Sequence, residues 1–245
     1  MCGQCQQGSP RAHHPTRRSL LLAASAVLPL LAFPALAKES KKKPAPKPEN
    51  VLSPDAALKR LKKGNERYVH GVARRHDFKH EREALVGGQN PFAAILSCAD
   101  SRIAPEYAFD TGRGDLFVCR VAGNFANDDT IASLEYAVAE LKVPLILVLG
   151  HDACGAVDAT IKSLKDGTTP PGHIPALVAA IAPAVKAVSE QSGNTLEKAI
   201  RQNVVDNVAK LKAVGPILSA AVDQKKLRVV GGIYRLEDGE VEMVV

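Results

Sequence analysis

Two short stretches of this chain carry side chains that could do metal chemistry. In ILSCADSRIAPE (95–106), Cys98, Asp100 and Arg102 fall within five residues, directly behind an apolar run. In HDACG (151–155), His151 and Cys154 are three positions apart. A thiol, a carboxylate and a guanidinium are each costly to bury unpaired. Two cysteine sulfurs and one imidazole nitrogen form a donor set that suits tetrahedral Zn²⁺. Three protein donors leave a fourth position open, the pattern of catalytic rather than structural zinc. The HDAC turn would lead into a helix, whose N-terminus is expected to lower the thiol pKa of Cys154. An ionised Asp100, held by Arg102, could accept a hydrogen bond from zinc-bound hydroxide and aim its lone pair outward. Taken singly, each stretch also fits a buried thiol beside a cap and its ion-pair partner. A phosphatase-type loop does not fit, because it needs Arg six positions after Cys and residue 104 is Ala.

The elements that must position these residues are legible in the flanking patterns. PFAAILS (91–97) is a short apolar run that ends at Cys98, and DLFVCRVA (115–122) is a second. PLILVLG (144–150) is a fully apolar strand of the parallel-sheet type that leads to His151. DDTIASLEYAVAELK (128–142) has two acids at its start and apolar residues at helical spacing. SPDAALKRLKKGNERYVHG (53–71) begins with a Ser cap and Pro at the first helical position, which predicts a surface helix at the domain edge. Helical patterns fill 174–226. The end, LRVVGGIYRLEDGEVEMVV, predicts a hairpin turning at Asp238-Gly239. Strands alternating with helices predict one α/β domain: a central, mostly parallel β-sheet flanked by helices, an N-terminal helical arm and a C-terminal antiparallel edge strand or hairpin. Sites in such sheets form beyond the carboxyl ends of the strands. Cys98, His151 and Cys154 would all sit there.

The rest of the 245-residue chain is of another kind. TRRSLLLAASAVLPLLAFPALA (16–37) reads as a twin-arginine export signal, with Arg17-Arg18, an apolar stretch broken by Pro29 and Pro34, and a small-x-small end at Ala35-Leu36-Ala37. The alternative is a membrane-spanning helix, which fits less well. Cleavage after Ala37 would place the mature protein in a bacterial periplasm. Residues 38–50, rich in Lys and Pro, predict a disordered tether. The domain then spans 51–245, roughly 195 residues, enough for a real core. With no Trp and few aromatics, that core must be aliphatic.

The net charge of +6 belongs to the leader segments. Residues 1–37 carry three arginines and no acids, and residues 38–49 carry five lysines against two glutamates. The body is therefore near neutral, which argues against a nucleic-acid partner. Cys2 and Cys5 would leave with the signal. The remaining Cys98, Cys119 and Cys154 do not make a disulfide framework.

With CADSR and HDACG about fifty residues apart and in this order, the chain resembles the β-class carbonic anhydrases. The likeness runs through ALKRLKKGNERYVHG, DLFVCRVAGN and SLEYAV to GGIYRLEDGEVEMV, nearly the whole body from Ser53 onward. The resemblance implies one Zn²⁺ per subunit on Cys98, His151 and Cys154, with Asp100 and Arg102 as the dyad that gates and orients the hydroxide. It also implies a substrate pocket formed by Gln89, Phe117, Tyr136 and Gly155. It implies homodimers or dimers of dimers whose pocket residues cross between subunits, with the N-terminal helix as an arm on the partner. The Trp-dependent bicarbonate site of another branch is not expected, because the chain has no Trp. Where plant relatives have Arg-Asn-Val-Ala-Asn, this chain has Arg120-Val121-Ala122-Gly123-Asn124. Cys119 matches no family role and reads as a strand thiol. His70, His76, His80 and His173 are candidate proton shuttles.

The expected activity is that of a lyase: reversible hydration of CO2 to bicarbonate and a proton, by zinc-bound hydroxide attacking the carbon. Two alternatives use the same residues: a zinc hydrolase for carbonyl sulfide or carbon disulfide, and a non-enzymatic zinc-binding protein. The donor charges predict a pH dependence. Two thiolates cancel the +2 of zinc, so this site should acidify bound water less than an all-histidine site, which brings it to about 7. Activity is expected to rise with pH through a value above ~7. A rate profile that is flat between about pH 6 and 9 in a hydration assay contradicts this.

Overall fold

The structure is a computed structural model and describes residues 51–245. The expected export signal and tether lie outside the described residues. In chain order the elements are α1 (Pro54–Val69), α2 (Phe78–Leu85), β1 (Ala93–Ser97), α3 (Pro105–Ala108), β2 (Leu116–Arg120), α4 (Asp128–Ala139), β3 (Leu145–His151), α5 (Gly155–Asp166), α6 (Ile174–Val188), α7 (Thr195–Ala213), α8 (Ile217–Asp223), β4 (Arg228–Tyr234) and β5 (Val241–Met243). Among the described residues, no helix is long and apolar enough to cross a membrane.

The sheet order is β2-β1-β3-β4-β5. The first four strands are parallel, and β5 runs antiparallel to β4. Every residue of β1 and β3 is buried, as both faces of the sheet are covered. The two-residue strand period divides the core. Ala94, Leu96, Ile146, Val148, Val229 and Ile233 pack with residues of α4, α6, α7 and α8. Ala93, Ile95, Leu145, Leu147, Leu149 and Val230 pack with Ala57, Leu58 and Leu61 of α1 and Ala108 of α3. From β1 the chain crosses to β2 on one side, while β3 lies on the other. The sheet therefore changes direction between β1 and β3, and that is where an open parallel sheet leaves a crevice at its carboxyl edge.

Local chemistry explains the element ends. Ser53 caps α1 through its side chain at Ala56 N, 3.2 Å away, with Pro54 at the first helical position. The start of α4 is a capping box built by Asn127 and Thr130, a device the run of acids at 128–129 conceals. The glycines of β3 and β4 let α7 approach closely. A Cβ on Gly150 or Gly231 would lie 2.7 or 2.6 Å from the Val204 side chain, closer than packing permits. The C-terminal hairpin turns through 236–238, with Gly239 at φ +79°.

The N-terminal helix is tied to its own protomer. Asn65, buried on α1, donates from Nδ2 to Ala108 O at 2.9 Å and Gly239 O at 2.8 Å, and its Oδ1 accepts from Val241 N at 2.9 Å. One amide thus joins α1, α3 and the hairpin. Arg60 pairs with Asp115 at 2.8 Å. Nearby, Asp110 accepts from Arg67 Nε at 2.5 Å and from Arg74 N at 2.9 Å. Burial pushes the Asp110 carboxyl upward, but the Arg74 N–H and the Arg67 guanidinium outweigh it and hold the group below its ordinary value. A depressed carboxyl contributes stability that is present above its unfolded pKa and is lost as pH falls through its folded pKa. Asp110→Asn is therefore expected to destabilise the protein by about 1–3 kcal/mol near neutrality. The gap to wild type should narrow below about pH 4, as measured by urea melts across pH.

Candidate metal centre

Strand β1 ends one residue before Cys98, and β3 ends on His151, so the two strands flanking the crevice each deliver one donor. Cys154 occupies the N-cap position of α5. Between His151 and Cys154 the chain turns sharply, with Ala153 at φ +50°, a left-handed conformation that costs a non-glycine residue energy. The Sγ atoms of Cys98 and Cys154 are 4.0 Å apart. One ligand atom from each of Cys98, His151 and Cys154 lies within 4.8 Å of the others, and all three residues are buried.

The imidazole is oriented. His151 Nδ1 lies 2.7 Å from the Asp152 carbonyl, which assigns the ring proton to Nδ1. Nε2 is thereby left with a lone pair facing the two sulfurs. His151 has no solvent exposure, and its Nε2 has no hydrogen-bond partner. A buried nitrogen lone pair with no donor is a costly arrangement in a folded protein. A cation resolves it. Zinc–sulfur bonds of about 2.3 Å at a tetrahedral angle put two sulfurs about 3.8 Å apart. The observed sulfur separation fits, and so does the donor set.

Electrostatics point the same way. Cys98 is held well below the usual thiol range, first by its contact with the Cys154 thiol, against burial, and then by His151 and the N–H groups of Gly123 and Asp100. The Gly123 N–H to Cys98 Sγ distance is 3.3 Å. Cys154 is pushed up, first by the Cys98 sulfur and then by burial. The helix-end effect expected at Cys154 is present but outweighed. The N–H groups of Ala156 and Val157 do lower its pKa, but a second negative sulfur alongside outweighs them. A dication held between the two sulfurs would favour the thiolate form of both.

Asp100 and Arg102 form the expected pair with two-point geometry. Arg102 donates from Nε to Oδ1 at 2.9 Å and from Nη2 to Oδ2 at 2.7 Å, and its backbone N–H donates to Oδ1 at 2.9 Å. These bonds hold the Asp100 carboxyl well below the usual carboxylate range, against burial. Asp100 Oδ2 is 3.8 Å from His151 Nε2, so the carboxylate borders the three-donor cluster. Arg102 Nη2 also reaches the Ala153 carbonyl at 3.4 Å, linking the two motif loops.

Arg120, at the end of β2, is a site residue that sequence reasoning did not single out. Its Nε donates to Cys98 O at 3.0 Å, and its Nη2 donates to Asp100 O at 2.7 Å and Ile103 O at 2.9 Å. One guanidinium therefore gathers three carbonyls of the loop that carries Cys98, Asp100 and Arg102. The hints in the sequence were a charged residue closing an apolar strand and its match to the Arg of the relatives' segment, neither of which gives its partners. On the far side, Leu236 N donates to Asp152 Oδ1 at 3.0 Å and pins the His151 loop to the hairpin.

The pocket residues divide. Gly155 opens α5 next to Cys154, at the cluster. Phe117 lies in β2 in register with Ala94, and its ring is 6.4 Å from that of Tyr136, which stands half-exposed on α4. Gln89 is exposed before the start of β1, whereas Cys98 follows its end. The five residues of β1 span roughly 16 Å. A single protomer therefore does not bring Gln89 to the cluster. Of the candidate shuttles, His76 lies 3.1 Å from Glu81 and His80 lies 2.5 Å from Asp77, so both are engaged with carboxylates. Cys119 is half-buried in β2, and burial raises its thiol pKa.

The chain is similar in sequence and fold to known proteins. The family profile described as carbonic anhydrase matches residues 93–241. Carbonic anhydrase 2 of Mycobacterium tuberculosis is 42% identical over 188 residues, covering 76% of this chain and 91% of that protein. A carbonic anhydrase of Mycolicibacterium smegmatis is 39% identical over 192 residues, covering 78% of this chain and 93% of its own length. Among solved structures, a tetrameric β-carbonic anhydrase of the ascomycete Sordaria macrospora superposes with a TM-score of 0.61 at 26% identity, over 68% of this chain and 86% of that one. The Coccomyxa β-carbonic anhydrase in complex with acetazolamide gives 0.59 at 29% identity, over 66% and 75%.

The geometry separates residues that would hold the ion from residues that hold the loop. Cys98→Ser, His151→Ala and Cys154→Ser are each expected to lower zinc from about one ion per chain to near none after dialysis. Arg120→Ala should keep its zinc and lose turnover. Metal analysis beside a rate assay checks both.

Proposed function

We infer the activity from one premise: the chain belongs to the carbonic anhydrase family, in its β class. Its reaction is the reversible hydration of CO2 to bicarbonate and a proton, and its cofactor is zinc. Hydrolysis of carbonyl sulfide or carbon disulfide is not the reading these similarities support. The observation that carries the assignment is the buried Cys98–His151–Cys154 cluster, whose imidazole Nε2 has no other partner. We propose these three side chains as the zinc ligands. When bound, zinc supplies a Lewis acid that makes solvent nucleophilic near neutral pH.

The chain's own residues do the rest. Asp100 stays ionised because Arg102 engages both of its oxygens, so it acts as a hydrogen-bond acceptor and never as a donor. Accepting a hydrogen bond from the attacking solvent molecule turns that molecule's lone pair towards the substrate carbon. Arg102 keeps Asp100 from turning, and Arg120 keeps the backbone beneath it in place. CO2 is uncharged and bicarbonate is an anion. The N-terminus of α5 at Gly155 favours the charge that develops on the product oxygens.

We propose that Gln89, Phe117 and Tyr136 reach the site from a second subunit in a homodimer, which can pair further. Three observations support this. Gln89 lies off the opposite end of β1 from Cys98. The related Sordaria enzymes are described as tetrameric. A surface cavity of about 740 Å³ is bordered by the exposed side chains of Val72, Phe78 and Tyr107, apolar area that a partner would cover. We also propose that residues 1–37 are a twin-arginine signal cleaved after Ala37, that residues 38–50 are a tether, and that the mature enzyme works in the periplasm. The N-terminal sequence of the exported form tests this, and sedimentation tests the dimer.

The assignment is checked by stopped-flow CO2 hydration on protein with measured zinc content. Asp100→Ala should lower turnover on the order of 100-fold while zinc stays bound. An unchanged rate removes the orienting role of the dyad.

A further inference from the structure

Helix α7 carries an anomaly. Its buried face is formed by Ala199, Ile200, Val204, Val208 and Leu211, yet Asn203 and Asn207 sit on that same face, 2% and 7% exposed. A desolvated amide costs about 1–3 kcal/mol unless it is bonded. Both are bonded, and to one target. Asn203 Nδ2 donates to the Gly123 carbonyl at 2.8 Å. Asn207 Oδ1 accepts from Ala126 N at 2.7 Å, while Asn207 Nδ2 reaches Asn203 O at 2.7 Å and Asn203 Oδ1 at 3.2 Å. One turn further on, Lys210 Nζ donates to Ala126 O at 2.6 Å. Three side chains of one helix grip the segment that joins β2 to α4.

That segment ends at the metal centre. Gly123 has φ +85° and Asn124 has φ +41°, two successive left-handed residues. In this conformation the Gly123 N–H points at Cys98 Sγ, 3.3 Å away. A side chain at this position would be strained by the positive φ, and a Cβ on Gly123, 2.5 Å from Ile181 Cδ1, would force that methyl to move. Residue 123 is therefore held at its carbonyl by Asn203 and spends its N–H on a sulfur of the proposed ligand set.

We propose that Asn203 is a positioning residue for the metal centre: by holding the Gly123 carbonyl it keeps the Gly123 N–H on Cys98 Sγ, where it draws electron density from the sulfur. The proposal rests on Cys98 being a zinc ligand. Its physical content is donor strength. A thiolate that accepts a hydrogen bond gives less charge to its ion, so the ion keeps more of its Lewis acidity. In a site whose two thiolates already cancel the zinc charge, that hydrogen bond restores part of what the second sulfur removes.

The test uses full-length protein with Co²⁺ in place of Zn²⁺. Asn203→Leu keeps the approximate size but has no group that can donate to the Gly123 carbonyl. Asn203→Ser releases the carbonyl without adding charge, and stands in if the first variant does not fold. Val204→Ala is the packing control, since it loosens the same turn of α7 and leaves Asn203 intact. The sulfur-to-cobalt charge-transfer band should move to longer wavelength in either Asn203 variant and stay in place in Val204→Ala. Turnover of the zinc forms of the Asn203 variants should fall on the order of tenfold. A band that stays put in folded Asn203 variants overturns the proposal, and so does an equal shift in Val204→Ala. Absence of any sulfur-to-cobalt band in wild type overturns the ligand assignment itself.

Discussion

An imidazole nitrogen with no hydrogen-bond partner, sealed from solvent beside two sulfurs, is the constraint that organises this protein. His151 Nδ1 is committed to the Asp152 carbonyl, so Nε2 presents a lone pair to Cys98 and Cys154. Without a cation, that lone pair and the two adjacent sulfurs are poorly satisfied. With a dication, all three become favourable at once. The parallel sheet makes this possible, because β1 and β3 are neighbours at the point where the chain changes direction. Their carboxyl ends open into one crevice, and each delivers a donor there.

Holding three donors within bonding distance of one point requires more than two strands. The Cys98 loop is gathered from one side by Arg120, which takes the carbonyls of residues 98, 100 and 103. The His151 loop is tied by Leu236 N to the C-terminal hairpin, and the hairpin is tied by Asn65 to α1. The third approach is the 123–126 segment, gripped from α7, which comes close enough only because Gly150 and Gly231 leave room for Val204. Each clamp joins a long-range backbone group to one polar side chain. Catalytic geometry of this kind depends on side chains locked by packing and hydrogen bonding behind them, since misplacement by about 1 Å can cost 100-fold in rate.

Charge is handled with similar economy. Asp100 and Arg102 neutralise each other at the rim, so the carboxylate can stay ionised beside anionic sulfurs. The body of the chain is near neutral, consistent with a substrate that carries no charge and needs no steering field. The basic excess lies in residues 1–49.

By itself the sequence determined that Cys98, His151 and Cys154 meet at one sheet edge, that Asp100 stands beside Arg102, and the α/β class. These depend on local features: residue type, spacing of a few positions and apolar periodicity. The caps at Ser53 and the hairpin near Gly239 were legible for the same reason. Only the tertiary structure decided that Arg120 and Asn203 belong to the site, because their partners are backbone groups 17–22 and 80 positions away, and no local pattern reports such a bond. It also set a second sulfur against the expected helix-end effect at Cys154. The helix-end effect is local and readable, whereas the opposing Cys98 sulfur is 56 positions distant and arrives only when β1 and β3 pair. It showed, too, that Gln89 stands off the far end of its own strand. That is a consequence of the fixed rise of an extended chain, which spacing in sequence does not reveal until the strand is drawn straight.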